Sequence, residues 1–401
     1  MTVTSSLGSS IDQASERSVL SGLLPLVCIV LLGFLAVAAP LPVLSIYVHR
    51  DLGFSGFTVG CVIGVQSLVT VVSRHLAGTL CDRHGPRRVV LLGLPMAALA
   101  GAFYIASLAP ITPTGRLAIL VIGRVLLGLG ESLFITGTMS WGIGRIGAAR
   151  TGRVMSLQGI AMYAALGLGA PLGLAAYDAT GFASVGALTI LMPLVAAVIA
   201  MVLPAVVPAA GGDRVAFHRV IGLIWLPGTL LMLATVPFAS MAAFLPLDYA
   251  AQGWSSAGYA MTAFGIGYVA VRLVGSHLTD KHGAAVVVGI SLAIEGCGQV
   301  LLWLAPSPTY AVAGAALTGI GFSLIFPAMG VIATRRVPPA QRGRAVGNFI
   351  AFFDLALGVT GPVVGLVSGG FGYPSAFLVG LVAIAAAGLM LPGIGRMRTA
   401  S

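Results

Sequence analysis

Twelve apolar runs, each more than 20 residues long, leave this chain few folds to choose from. They fall at 20–48, 55–80, 88–109, 116–144, 154–178, 181–208, 220–247, 256–279, 284–305, 309–334, 345–370 and 373–394. A helix needs about 20 predominantly apolar residues to cross a bilayer. The runs lack period-2 alternation and far exceed the roughly 10 residues of a barrel strand, so they predict helices. Of the 401 residues, 58% are hydrophobic and 8% charged, against about 45–50% and 25% in a soluble domain. The expectation is an all-α membrane protein with twelve transmembrane helices.

The net charge of +10 reads as a topology signal rather than a nucleic-acid footprint. With the N-terminus in the cytoplasm, 16 of the 21 Lys and Arg residues fall on cytoplasmic segments. They cluster at Arg83, Arg87 and Arg88, at Arg145, Arg150 and Arg153, and at Arg335, Arg336, Arg342 and Arg344. Arg50 and Arg116 fall outside, and Arg74, Arg124 and Arg272 within spans. Cationic loops stay on the cytoplasmic side, so both termini are expected there, with contacts to anionic lipid. The first eighteen residues are polar and carry Asp12, Glu16 and Arg17. They lack the basic start of a cleavable signal, so the first run reads as a span of the inner membrane.

The chain repeats itself. At an offset of 198, Arg74 matches Arg272, Asp82 matches Asp280 and Gly85 matches Gly283. Further on the offset is 191, pairing "GLGESLF" (128–134) with "GIGFSLI" (319–325) and "GLGAP" (167–171) with "GVTGP" (358–362). Two pseudo-symmetric six-helix bundles follow, over 20–208 and 220–394, with tails at 1–19 and 395–401 and a cytoplasmic linker at 209–219. Six spans in each half make the repeats parallel, one of the two symmetries common in secondary transporters.

"GTLCDRHGPRR" (78–88), between the second and third runs, resembles the loop signature of the major facilitator superfamily, and "GRVLLGLGES" (123–132) resembles its fourth-helix motif, with Arg124 as the arginine. The resemblance spans nearly the whole chain and is of the bacterial arabinose-efflux-like and drug-efflux-like kind. It implies the major facilitator fold, a gating part for the loop and proton coupling near Arg124. "GLGAP" partly matches the antiporter signature, with Ala170 where that signature has glycine.

Gly85-Pro86 suits a sharp reversal between spans, and Gly78 would let a neighbouring helix approach closely. Asp82 can accept hydrogen bonds from a helix N-terminus or from the arginines of 335–344. Asp82, Arg83, Arg87, Asp280, Arg74 and Arg272 are therefore candidate gating residues. The plainer alternative is turn chemistry with retained charges, and snorkelling for Arg74 and Arg272.

A charge at mid-span costs about 2.5–3.5 kcal/mol on insertion scales, so each needs a reason. Arg124 and Glu131 share one face of the fourth span about 10.5 Å apart along its axis. Their counterparts are Ala315 and Phe322, so one half alone keeps the charges. Glu131 is the candidate proton carrier, with Arg124 as counter-charge or anion ligand and Asp354 next in line. The alternative for the first two is a static pair. Glu295 reads as structural and Asp248 as a solvated interface residue. Gln66, Gln158, Tyr163, Phe238, Tyr268, Asn348 and Phe352 are candidate cavity residues.

No nucleotide loop, metal-ligand spacing or Ser/His/Asp arrangement stands out, so neither enzyme nor cofactor is expected. The expectation is a monomeric alternating-access transporter drawing on the proton gradient and exporting a sugar-like or amphiphilic compound. Its partners are that small-molecule substrate, protons and membrane lipid, not nucleic acid. Rival readings are a proton-coupled importer of an organic acid or sugar, and a non-transporting sensor or embedded enzyme. Topology reporters after residue 212 and at the C-terminus should report cytoplasm, and one near Ser307 the exterior; an external result at 212 contradicts the six-plus-six arrangement.

Overall fold

The computed structural model describes residues 3–147, 150–206, 217–255, 257–275, 278–337 and 342–396. Every long apolar run is a helix, and no strand occurs among the described residues. In chain order the membrane helices are α1 (Ser21–Asp51), α2 (Gly56–His84), α3 (Pro86–Ala106), α4 (Pro113–Ile146), α5 (Thr151–Thr180) and α6 (Phe182–Val202). The second half holds α7 (Gly222–Ala251), α8 (Ala257–Gly275), α9 (Ala284–Trp303), α10 (Pro308–Thr334), α11 (Gly347–Phe371) and α12 (Ser375–Ile394). Of the linker expected at 209–219, residues 209–216 lie outside the described residues and 217–219 belong to the helix Phe217–Ala251; the side chain of Asp280 also lies outside.

Polar caps and prolines start several of the helices. Ser55 Oγ accepts from the Thr58 amide at 3.4 Å, ahead of α2. Thr112 Oγ1 accepts from the Gly115 amide at 3.2 Å, with Pro113 in the first turn of α4. Such residues satisfy or avoid the orphan amides of a helix start. The reversal after α2 matches its sequence: Gly85 has φ 83°, Pro86 opens α3, and the repeat partner Gly283 has φ 85°. Glycine takes that left-handed conformation without steric cost.

An even number of spans puts the described ends of α1 and α12 on one face, together with the charged turns; this is the basic face. Toward the other face the halves meet through α2 against α11, α5 against α8, and α1 against α7. The contacts obey the sequence repeat. A Cβ added at Gly60 would overlap the Gly361 carbonyl and Pro362. One at Gly258, 198 residues on, would lie 2.9 Å from the Cα of Pro171, the repeat partner of Pro362. Gly64 likewise abuts the Gly358 carbonyl, while Thr262 Oγ1 donates to the carbonyl of Gly167 at 2.8 Å. Ser45 Oγ donates to the Ala243 carbonyl at 2.7 Å, joining positions one repeat apart, as expected at a two-fold axis. With no hydrophobic drive between helices in lipid, small residues that let backbones touch supply the packing.

A polar tie joins the halves at the same end. The Phe54 carbonyl accepts from His49 Nδ1 at 2.8 Å, which leaves Nε2 to accept from the Tyr373 hydroxyl at 2.8 Å. Burial pushes the Tyr373 phenol above its usual range, keeping it a donor.

Gly60→Val should therefore weaken the folded state by about 1–3 kcal/mol, the ordinary cost of overpacking. Gly222→Val, where nothing lies within 4 Å of the added Cβ, should leave it unchanged. Denaturant unfolding in detergent checks both, and equal midpoints would show that the α2/α11 contact is not tight.

Candidate functional site

Between the halves lies a narrow cavity of about 50 Å³, lined by residues of both. The first half contributes Phe34, Val37 and Leu41 from α1, Ile63, Gln66 and Ser67 from α2, and Arg124 and Glu131 from α4. Met162, Tyr163 and Leu166 of α5 complete that side. Opposite them stand Phe238, Ala239 and Ala242 of α7 and Phe353, Leu357 and Gly361 of α11. The wall is mostly apolar, with aromatic rings from Phe34, Tyr163, Phe238 and Phe353. Tyr163 stacks on Tyr268 with centroids 3.8 Å apart, and Phe238 stacks on Phe264 at 4.9 Å.

Glu131 is 8% exposed, and its Oε2 accepts from Gln66 Nε2 at 2.6 Å. Arg124 is 1% exposed and does not pair with it. Its Nε donates to the Val62 carbonyl at 3.1 Å and its Nη2 to that of Ile63 at 3.0 Å. The two residues share a face, as their spacing of seven requires, but the guanidinium is turned to the backbone of α2. Arg124 clamps α4 to α2; Glu131 presents its carboxyl group on the cavity wall beside Gln66.

Asp354 pairs with Arg74, the one side-chain ion pair among the described residues. It joins α2 to α11 across the halves, so Arg74 braces rather than snorkels. Its repeat partner Arg272 donates from Nη1 to the Ser323 carbonyl at 2.9 Å, inside its own half.

Other expected site residues are placed differently. Gln158 belongs to a small space between α1, α4 and α5, donating to the Ile135 carbonyl at 3.0 Å and Thr138 Oγ1 at 3.2 Å. The ring of Phe352 packs over Gly228, and the next residue, Phe353, faces the cavity. Asn348 is half-buried and off the lining. Arg87 donates from Nε to the Ala200 carbonyl at 3.3 Å and from Nη2 to that of Met201, capping α6 in its own half rather than reaching across. Gly78 has nothing within 4 Å of an added Cβ; the buried neighbour at that crossing is Ala77. Asp82 and Arg83 are exposed on the last turn of α2, with no hydrogen bond or ion pair among the described residues. Glu295, read as structural, is fully buried where α9 packs on Gly321 of α10, and its carboxyl oxygens have no hydrogen-bond partner among the described residues. Asp248, expected in solvent, is 3% exposed within α7: the helix continues to Ala251 and packs its end inward.

Gln66, Tyr163 and Phe238 do line the cavity. Reading the sequence missed Phe34, Met162, Phe353 and Leu357, apolar residues with no contrast in an apolar chain. Ser67 had a signal, since residues 63, 66 and 67 share one helical face.

Comparison with known proteins follows the fold. Residues 26–256 and 229–396 match the profile of the Major Facilitator Superfamily. An uncharacterized MFS-type transporter of Salmonella typhimurium is 42% identical over 349 residues, covering 87% of this chain and 90% of the relative. One from Burkholderia mallei is 42% identical over 390 residues, covering 96% and 95%. Among solved structures, the human organic anion transporter MFSD10 superposes with a TM-score of 0.69 at 15% identity, covering 94% of this chain and 99% of that one. A bacterial homolog of the human lysosomal transporter Spinster, inward-facing and unoccupied, gives 0.68 at 15% identity, covering 92% and 94%.

Breaking a buried ion pair from one side costs about 3–5 kcal/mol, because a charge is left unpaired. Asp354→Asn should thus lower stability more than Asp354→Asn combined with Arg74→Gln. A double-mutant cycle on unfolding midpoints reads this, and additive losses would mean the two charges do not interact.

Proposed function

The chain belongs to the major facilitator superfamily, and on that footing we propose that it is a proton-coupled exporter of an amphiphilic small molecule. It works by alternating access in the inner membrane, with the basic face and both termini in the cytoplasm. The observation that carries this reading is Glu131: a carboxyl group in mid-helix, on the wall of the inter-half cavity, bonded to neutral Gln66 and not to a cation. A carboxyl so placed gains and loses a proton as the site faces each side in turn. Substrate and proton bind the same opening, so release of one favours loading of the other, which is exchange. The wall is mostly apolar, with a few polar groups gathered at Gln66, Ser67 and Glu131, which suits an amphiphile better than a sugar.

The glycine crossings close the external face, and the cavity then opens to the cytoplasm. Arg74 and Asp354 sit between the cavity and the basic face and limit how far α2 and α11 separate there. In the alternate state, the exposed charges of Asp82 and Arg83 help to close the cytoplasmic side. Both halves must change partners on the same face, which is why the charged turn occurs twice.

Glu131→Gln keeps the acceptor for Gln66 but removes titration. In proteoliposomes it should abolish uphill transport driven by a pH gradient and retain counterflow exchange, which needs only alternating access. If the variant still concentrates substrate with the wild-type pH dependence, Glu131 is structural and the coupling passes to Asp354.

A further inference from the structure

The two inter-half contacts are copies of each other, but one lacks a charge. At α2/α11, Arg74 meets Asp354. At α5/α8 the same crossing recurs, with Gly258 against Pro171 and Thr262 against Gly167. The repeat offsets place Arg272 where Arg74 stands and Tyr163 where Asp354 stands. Arg272 thus faces a position from which the carboxylate has been lost.

Arg272 is only 4% exposed. Its one hydrogen bond among the described residues is from Nη1 to the Ser323 carbonyl. A Cβ added at Gly159 would lie 3.7 Å from its Nη2 and 3.8 Å from the Tyr268 hydroxyl. Gly159 is itself half-exposed, so the glycine leaves a niche beside two donors, a guanidinium and a phenol. Neither the Tyr163 nor the Tyr268 hydroxyl makes a hydrogen bond among the described residues. Of the three arginines in the spans, half-buried Arg74 is neutralised by Asp354 and buried Arg124 is held by two carbonyls. Arg272 is the one left with a fork free for an anion, and a buried cation without a counter-charge is costly.

We propose that the transported molecule supplies the missing carboxylate: its anionic head binds Arg272 and the Tyr268 hydroxyl beside Gly159. Its apolar body lies against Tyr163, Phe238 and Phe353, in the cavity that Tyr163 borders. This narrows the amphiphile proposed above to an organic carboxylate, and it rests on that reading for the identity of the cavity. A guanidinium recognises a carboxylate through two parallel hydrogen bonds, which an ester or amide cannot match in strength.

The test is equilibrium binding to the full chain in phosphatidylcholine nanodiscs, using benzoate, decanoate and 1-pyrenebutyrate, each beside its methyl ester. At least one carboxylate should bind saturably and about 10-fold or more tighter than its ester, a difference of about 1.4 kcal/mol. Arg272→Gln should remove that preference. Tyr163→Asp, which restores the internal carboxylate, should also remove it while raising or keeping the unfolding midpoint, so a folding defect in the first variant does not leave the question open. Adding phosphatidylglycerol should leave the affinity unchanged. The proposal is overturned if no acid is preferred to its ester, if Arg272→Gln keeps the preference within twofold, or if phosphatidylglycerol competes and so claims the niche for a lipid headgroup. No proton gradient is present, so these failures are separate from a failure of proton coupling.

Discussion

Direct backbone contact between helices of opposite halves is the interaction on which the rest of the structure depends. Gly60 on Gly361–Pro362 and Gly258 on Pro171 bring α2 to α11 and α5 to α8 with no side chain between them. Apolar side chains cannot supply such an attachment in lipid, where the surroundings are as apolar as leucine. Closing the halves at one end leaves the cavity behind it, between α1, α2, α4 and α5 on one side and α7 and α11 on the other. The contact has little polar content to break, so it suits an interface that must part and re-form.

Charges divide the labour on this symmetric frame. The first half keeps Arg124 and Glu131, where the second has Ala315 and Phe322. Arg124 spends its donors on α2 carbonyls, and this rigid clamp holds α4 so that Glu131 reaches the cavity beside Gln66. Across the halves, Arg74–Asp354 is paired, while Arg272 bonds the Ser323 carbonyl of its own half. A chain with perfect repeats would have no reason to treat one face of its cavity differently from the other; this one holds a carboxyl on α4 and an unmatched guanidinium on α8.

The fold was legible because period and length over-determine it: each run is too long for anything but a membrane helix, and the two offsets align the halves. The cavity was legible only where a polar or aromatic residue broke the apolar background, as at Gln66, Tyr163 and Phe238. Gln158 shows the limit, since it is as polar as Gln66 but faces α4 within its own half. Phe352 and Phe353 show another: adjacent identical residues differ only by the rotation of α11, and one faces α7 while the other faces the cavity. The pairing of Arg74 with Asp354 joins residues 280 apart in sequence, and spacing alone does not reach across that distance. The repeat offsets align Arg272 with Arg74 and Tyr163 with Asp354, but only the packed structure revealed that Arg74 and Asp354 meet.

On the proposed cycle, the glycine-packed end is one of two closed states. Spin labels replacing exposed Phe57 and Phe371 report that end, and labels at exposed Gly152 and Val274 report the basic face, with Cys28, Cys61, Cys81 and Cys297 removed. Distance distributions by pulsed electron resonance, recorded with the pH stepped down, are the most direct measurement. The account predicts that the first distance lengthens as the second shortens, in matched populations. A single unchanging distance at each end, or both ends opening together, would contradict it.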